Sequence, residues 1–194
     1  MAQATAYAEG DRHREARAWT NRGNALRRVR RFEEAIDAHQ HDLAYCQQVG
    51  DRHGEARAWN GLGLALRQVR RFGEAIEAHT YARDTFAELG DRHGEARAWY
   101  HLGLTLLWVP RFGEAIEAHT YARDTFAELG DRHREARAWN NLGLALHGSG
   151  RVGEAVAAVE RAVELYEATG DEHRGAIAQE LLAKIRRDLG RDGG

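Results

Sequence analysis

Histidine, arginine and a single cysteine are the side chains of this 194-residue chain that invite a reading as metal ligands, anion binders or nucleophiles. Eleven histidines invite a metal reading, and five of them, His13, His53, His93, His133 and His173, recur at intervals of 40. Zinc donors sit about 2 Å from the ion. Residues one helical repeat apart stand roughly 10 Å from each other. The five therefore do not share an ion, and neither metal nor cofactor is expected. Cys46 is alone, which excludes an intrachain disulfide and a cysteine zinc site. No Gly-rich phosphate loop, His-Glu-x-x-His run or nucleophile elbow occurs, so an enzyme is not expected. Arginine remains. Of 28 basic residues only Lys184 is a lysine, and Arg17, Arg57, Arg97 and Arg137 hold one repeated position. A planar guanidinium suits carboxylates. The preference for arginine also suggests a GC-rich bacterial genome.

A repeat sets the helices that carry these residues. Gly-Asp recurs at Gly10-Asp11, Gly50-Asp51, Gly90-Asp91, Gly130-Asp131 and Gly170-Asp171, always 40 apart. Residues 71–99 and 111–139 differ only at Gly94 versus Arg134, as after a recent duplication or in a consensus-like sequence. Each unit reads as two helices. Trp59, Leu62, Gly63, Leu66 and Val69 fall on one face, and Phe72, Ala75, Ile76, His79, Ala82, Phe86 and Leu89 on another. The short junction from Gln68 to Arg71 predicts an antiparallel hairpin. Gly90 suits a left-handed helix end and Asp91 the N-cap of the next helix. Gly23, Gly63, Gly103 and Gly143 sit mid-helix, where glycine costs about 1 kcal/mol. Close helix contact offsets that cost, with Ala35, Ala75, Ala115 and Ala155 as the expected matching small residues. His39, His79 and His119 fall on the buried face and read as core.

Trp59-x-x-Leu62-Gly63-x-x-Leu66, then Phe72-x-x-Ala75 and a small Ala82, resembles the tetratricopeptide repeat. The 40-residue form is similar to those of Pins-type adaptors, kinesin light chains and bacterial tetratricopeptide proteins linked to signalling ATPases. The resemblance implies an all-α fold, a right-handed α–α superhelix. Four helical hairpins are expected over 11–50, 51–90, 91–130 and 131–170, then a capping helix and frayed tail over 171–194. Residues 1–10 read as the stub of a preceding second helix. The chain departs from the pattern at Arg22, at Asp42 (alanine in later copies) and at Pro110. Proline cannot take the left-handed conformation, so the third hairpin turn is expected to differ from the fourth.

In that family the first helices line a concave groove where ligands lie. Carried over, the resemblance places Arg17 and Asn21 there from the first unit, and Arg57, Asn60 and Arg67 from the second. The third gives Arg97, His101, Leu104 and Trp108, and the fourth Arg137 and Asn141. The repeated arginines would form a basic ladder for an acidic peptide segment, with Asn21 and Asn141 on its backbone. Acidic residues collect on the second helices, among them Glu74, Glu77, Asp84 and Glu88. Alternatively, the arginines pair locally with Glu15, Glu55, Glu95 and Glu135. Trp108, with Leu104 and Leu107, is either a partner hot spot or a lid on the core over Val109 and Pro110.

Net charge is −2, pI near 6.6 and mean hydropathy −0.66, so no bulk field draws the chain to nucleic acid or membrane. No apolar run approaches the roughly 18 residues of a membrane span, and no secretory leader is visible, which suggests the cytoplasm. The expected function is an interaction scaffold that binds an acidic protein or peptide segment, alone or as part of a larger signalling protein. The alternative is a structural repeat module that forms homo-oligomers through its terminal repeats.

Overall fold

A computed structural model describes residues 18–192, without the side chains of 190–192. The expected N-terminal stub and the start of the first unit, including Arg17, lie outside the described residues. What is described is helical, with no strand. α1 covers residues 18–28. It is followed by α2 (Phe32–Val49), α3 (Arg52–Gln68), α4 (Phe72–Glu88), α5 (Arg92–Leu106), α6 (Phe112–Glu128), α7 (Arg132–Gly148), α8 (Val152–Thr169) and α9 (Glu172–Asp192). α9 runs on through Gly190, where a frayed tail was expected. Two compact units divide after Ala98.

The Gly-Asp pair sets each boundary between hairpins by the chemistry expected. Gly50, Gly90, Gly130 and Gly170 hold φ between 67° and 72°, which glycine adopts without a Cβ penalty. The following aspartate then caps the next helix. Asp51 Oδ1 accepts from Gly54 N–H at 2.8 Å, Asp91 Oδ1 from Gly94 N–H at 2.8 Å, and Asp131 and Asp171 from the equivalent amides at 3.1 Å. The second helices start differently. Arg31, Arg71, Arg111 and Arg151 stand at the N-cap without a side-chain cap bond. Each guanidinium instead forks onto the glutamate three residues on. Arg71 donates to Glu74 at 2.7 and 2.5 Å and Arg111 to Glu114 at 2.6 Å, with Arg31–Glu34 and Arg151–Glu154 alike. Part of the acidic face expected on the second helices is thus neutralised in place.

The turn inside the third hairpin does differ. Arg30, Arg70 and Gly150 reach φ of 62°, 64° and 81°, while Pro110 stops at 24°. Arg70 and Gly150 also donate their N–H to the carbonyls of Arg67 and His147, at 3.1 and 3.0 Å. Proline has no such N–H. α5 accordingly ends at Leu106, two residues earlier in the repeat than α3 or α7, and tightens through Trp108 N–H to the Thr105 carbonyl at 3.0 Å.

In the first unit, α1 to α4 pack in sequence around Leu26, Ile36, Leu62 and Leu66, with Trp19 and Trp59 alongside. The mid-helix glycines make the close approaches expected, but the partner is not the matching alanine. A Cβ on Gly63 would lie 2.6 Å from His79 Cε1, and one on Gly23 2.6 Å from His39. The imidazole itself fills the space, and His39 and His79 are fully buried. Asp42 is buried too and accepts from Thr20 Oγ1 at 2.6 Å.

In the second unit, Gly103 meets His119 in the same way, and Gly143 meets Val159, the residue that α8 carries in place of histidine. Leu142, Leu146, Val159, Leu165 and Tyr166 form the core, and α9 closes it with Ala178, Leu182 and Ile185. Leu189, further along α9, is exposed.

Candidate functional site

The second unit gathers polar side chains from four helices around a recess of about 220 Å³. Tyr100 comes from α5, Arg137, Asn140 and Asn141 from α7, Tyr166 from α8, and Arg174 and Ile177 from α9. α7 supplies three because residues three and four apart share a helix face. Asn141 Nδ2 donates to Tyr100 Oη at 2.9 Å. The Arg137 guanidinium lies 5.0 Å from the Tyr100 ring centroid, a cation–π arrangement. Among the described residues no carboxylate stands within ion-pair distance of Arg137. Arg174 is tied to Asp171 at 2.8 Å. Burial pushes the Tyr166 phenol up to about 12, so it stays protonated near neutrality. Asn140 Oδ1 is buried without a hydrogen-bond partner. The recess therefore offers an uncompensated cation beside an acceptor that lacks a donor. That combination suits a carboxylate next to a peptide N–H.

The other sequence candidates are spread over both units. In the first, Asn21 and Arg57 are exposed and Arg67 and Arg97 half-buried. Asn60 is only 4% exposed, and its Oδ1 stands 3.1 Å from His79 Nδ1. The amide oxygen can only accept, so the proton sits on Nδ1 and Asn60 serves the core. In the second, His101 and Leu104 are half-buried. Trp108 is 61% exposed and does not close the core. Only Arg137 and Asn141 share the recess. The local pairing considered for the arginines is not found at Glu55 or Glu135. These pair with Arg52 at 2.7 Å and Arg132 at 3.4 Å, while Arg57 stands 3.8 Å from Asp51. Sequence reasoning missed Tyr166 and Arg174, because the repeat pattern assigns α8 to the back and α9 to the cap. A faint signal existed, since Arg174 aligns with Arg134 one unit earlier.

Among the described residues no three histidine, cysteine or acidic side chains are placed to hold a metal ion. Burial, with Asp42 beside it, pushes the Cys46 thiol up to about 12, far from a reactive thiolate.

Helical hairpins capped at the four described glycine–aspartate steps define an all-α repeat protein. The tetratricopeptide repeat profile matches residues 14–88 and again 94–168. The chain belongs to the tetratricopeptide repeat family, whose members are protein–protein interaction scaffolds. No curated relative matches the sequence. Solved structures share the fold at low identity. BtubC of P. vanneervenii is 19% identical with a TM-score of 0.67, over 87% of this chain and 78% of that one. A Rap protein complexed with competence and sporulation factor is 17% identical with a TM-score of 0.74, over 90% and 49%. A signal-transduction ATPase of Pyrococcus horikoshii with a tetratricopeptide repeat sensor is 13% identical with a TM-score of 0.77, over 93% and 30%.

Proposed function

We propose that the chain binds an acidic segment of a partner polypeptide, with Arg137 as its anchor. The observation that carries this is the Arg137 guanidinium, held against Tyr100 at the recess with no carboxylate of the described chain to neutralise it. A carboxylate there gains a charge-assisted pair, and the neighbouring N–H of the same peptide satisfies Asn140 Oδ1. Asn141 and Tyr100 hold the arginine's platform rather than the ligand, since each already serves the other. Trp108, exposed in the same unit, extends the surface offered to a longer segment. Two neighbours of the same fold lend support. One is a signal-transduction ATPase with a tetratricopeptide repeat sensor, and the other is a Rap protein complexed with competence and sporulation factor. No helix among the described residues is long and apolar enough to cross a membrane, which suits a partner met in the cytoplasm. We read the chain as a non-enzymatic sensor or adaptor element.

The test is fluorescence anisotropy on the full chain. The probes are labelled acidic peptides drawn from an array and their Asn/Gln counterparts. Arg137→Ala should weaken the acidic peptide by about tenfold or more, as loss of a charged hydrogen-bonded anchor does, and leave the amidated one unchanged. Equal affinity for the two peptides, or an indifferent Arg137→Ala variant, overturns the proposal.

A further inference from the structure

α8 breaks the repeat beside Trp139. In α2, α4 and α6 the residue 22 positions after the tryptophan is aromatic and lies over the indole. His41 lies over Trp19 with ring centroids 5.0 Å apart, Tyr81 over Trp59 at 4.9 Å, and Tyr121 over Trp99 at 5.2 Å. In α8 that residue is Arg161, which donates instead to Glu164 at 2.7 Å. Four residues before it, Ala157 stands where α4 and α6 have Glu77 and Glu117. The Arg123 guanidinium covers the Trp139 ring at 4.3 Å, and among the described residues no aromatic ring joins it. A recess of about 370 Å³ opens alongside. Ile116 and Thr120 of α6 form one wall and Ala157 and Ala158 of α8 the other, with Leu142 and Leu146 of α7 beneath.

We infer that this recess is a second binding site, for a tyrosine side chain of a partner polypeptide. The occupant is read from the chain's own solution, because in the two preceding repeats a tyrosine presented from a helix covers the indole. Stacked aromatic pairs favour centroid distances of about 4.5–7 Å and contribute beyond the area they bury. The volume falls within the ordinary range of small ligand pockets, roughly 300–1,000 Å³. Apolar walls take the ring, and Thr120, Arg151 and Glu154 at the same recess can meet the phenol hydroxyl. The site is separate from the Arg137 recess, since α7 turns Trp139, Leu142 and Leu146 to this one and Arg137, Asn140 and Asn141 to the other.

The test follows the indole N–H resonances of the five tryptophans in the full chain by NMR, with Trp139 assigned from a Trp139→Phe variant. The probes are the capped tripeptide Gly-Tyr-Gly, its Gly-Leu-Gly control and 4-ethylphenol. The tyrosine peptide should shift the Trp139 resonance saturably, more than those of Trp59 and Trp99, and more tightly than the leucine control. Arg161→Tyr restores the ring of the sister repeats and should weaken the peptide at least tenfold. Ala157→Glu, also a sister-repeat residue, should do the same, while Arg137→Ala should leave binding intact. A Trp139 resonance that does not respond, a leucine peptide that binds equally, or an Arg161→Tyr variant that still binds would overturn the inference. Tighter binding of 4-ethylphenol than of the tyrosine peptide would overturn the polypeptide assignment.

Discussion

Two glycines of the same repeat answer to opposite pressures. Gly63 lies against the His79 ring, and an added Cβ would come within 2.6 Å of a buried imidazole that cannot move aside. A Cβ added at Gly73 would meet no neighbouring element within 4 Å. Gly63→Ala should therefore destabilise by about 1–3 kcal/mol, because overpacking outweighs the gain in helix propensity. Gly73→Ala should instead stabilise by roughly 0.5 kcal/mol through the unfolded chain's lost freedom. Urea unfolding of the two variants separates them, and a shared sign would contradict the packing described. The sequence showed that Gly63 needs a close neighbour. That the neighbour is a histidine rather than Ala75 depends on how far one helix is turned about its axis, which spacing leaves open.

Among the elements, α5 carries the clearest strain. Pro110 sits at φ 24° in a turn whose other copies reach 62° to 81°. Its ring prefers about −65°. Pro110→Gly should lengthen α5 toward the span of α7 and restore the N–H donated at Gly150. The expected gain is about 1–2 kcal/mol, relief of strain being larger than the added unfolded-state entropy. Calorimetry should show a higher Tm, and an unchanged or lower value would mean that the turn is not strained. The helix ends were otherwise legible, because caps and left-handed turns depend on residues within one turn of the chain. The arginine–glutamate forks that open α4, α6 and α8 were not anticipated, although Arg-x-x-Glu recurs in plain view.

Across the whole molecule, three buried histidines make stability depend on pH. Burial holds His39 near 4 and His79 and His119 near 3, with nearby Arg27 and Arg67 adding to the effect on the first two. An unfolded histidine titrates near 6.5. Above that value both states are neutral and the stability is complete. As pH falls below it, the unfolded chain takes up protons that the folded chain refuses. Stability then drops by up to about 1.4 kcal/mol per pH unit for each histidine until the folded pKa is reached. Urea midpoints should fall steeply between about pH 7 and about pH 5. His119→Val borrows the residue that α8 places against Gly143 and should flatten that fall by about a third. A pH-independent midpoint would show that these imidazoles are not buried as neutral rings.

The helices, their caps, the 40-residue period and the family are legible in the residues alone, because all of these follow from periodicity and from bonds made within a few residues. The sequence also placed Arg137 and Asn141 on one helix face, three to four residues apart. Helix packing, in contrast, turns Asn60 into the core against His79, brings Tyr166 and Arg174 to the Arg137 recess from α8 and α9, and leaves Trp139 without the ring its counterparts have. Those outcomes depend on the bulk of side chains on neighbouring helices, and a local pattern carries no information about which neighbour will fill, or leave open, the space beside it.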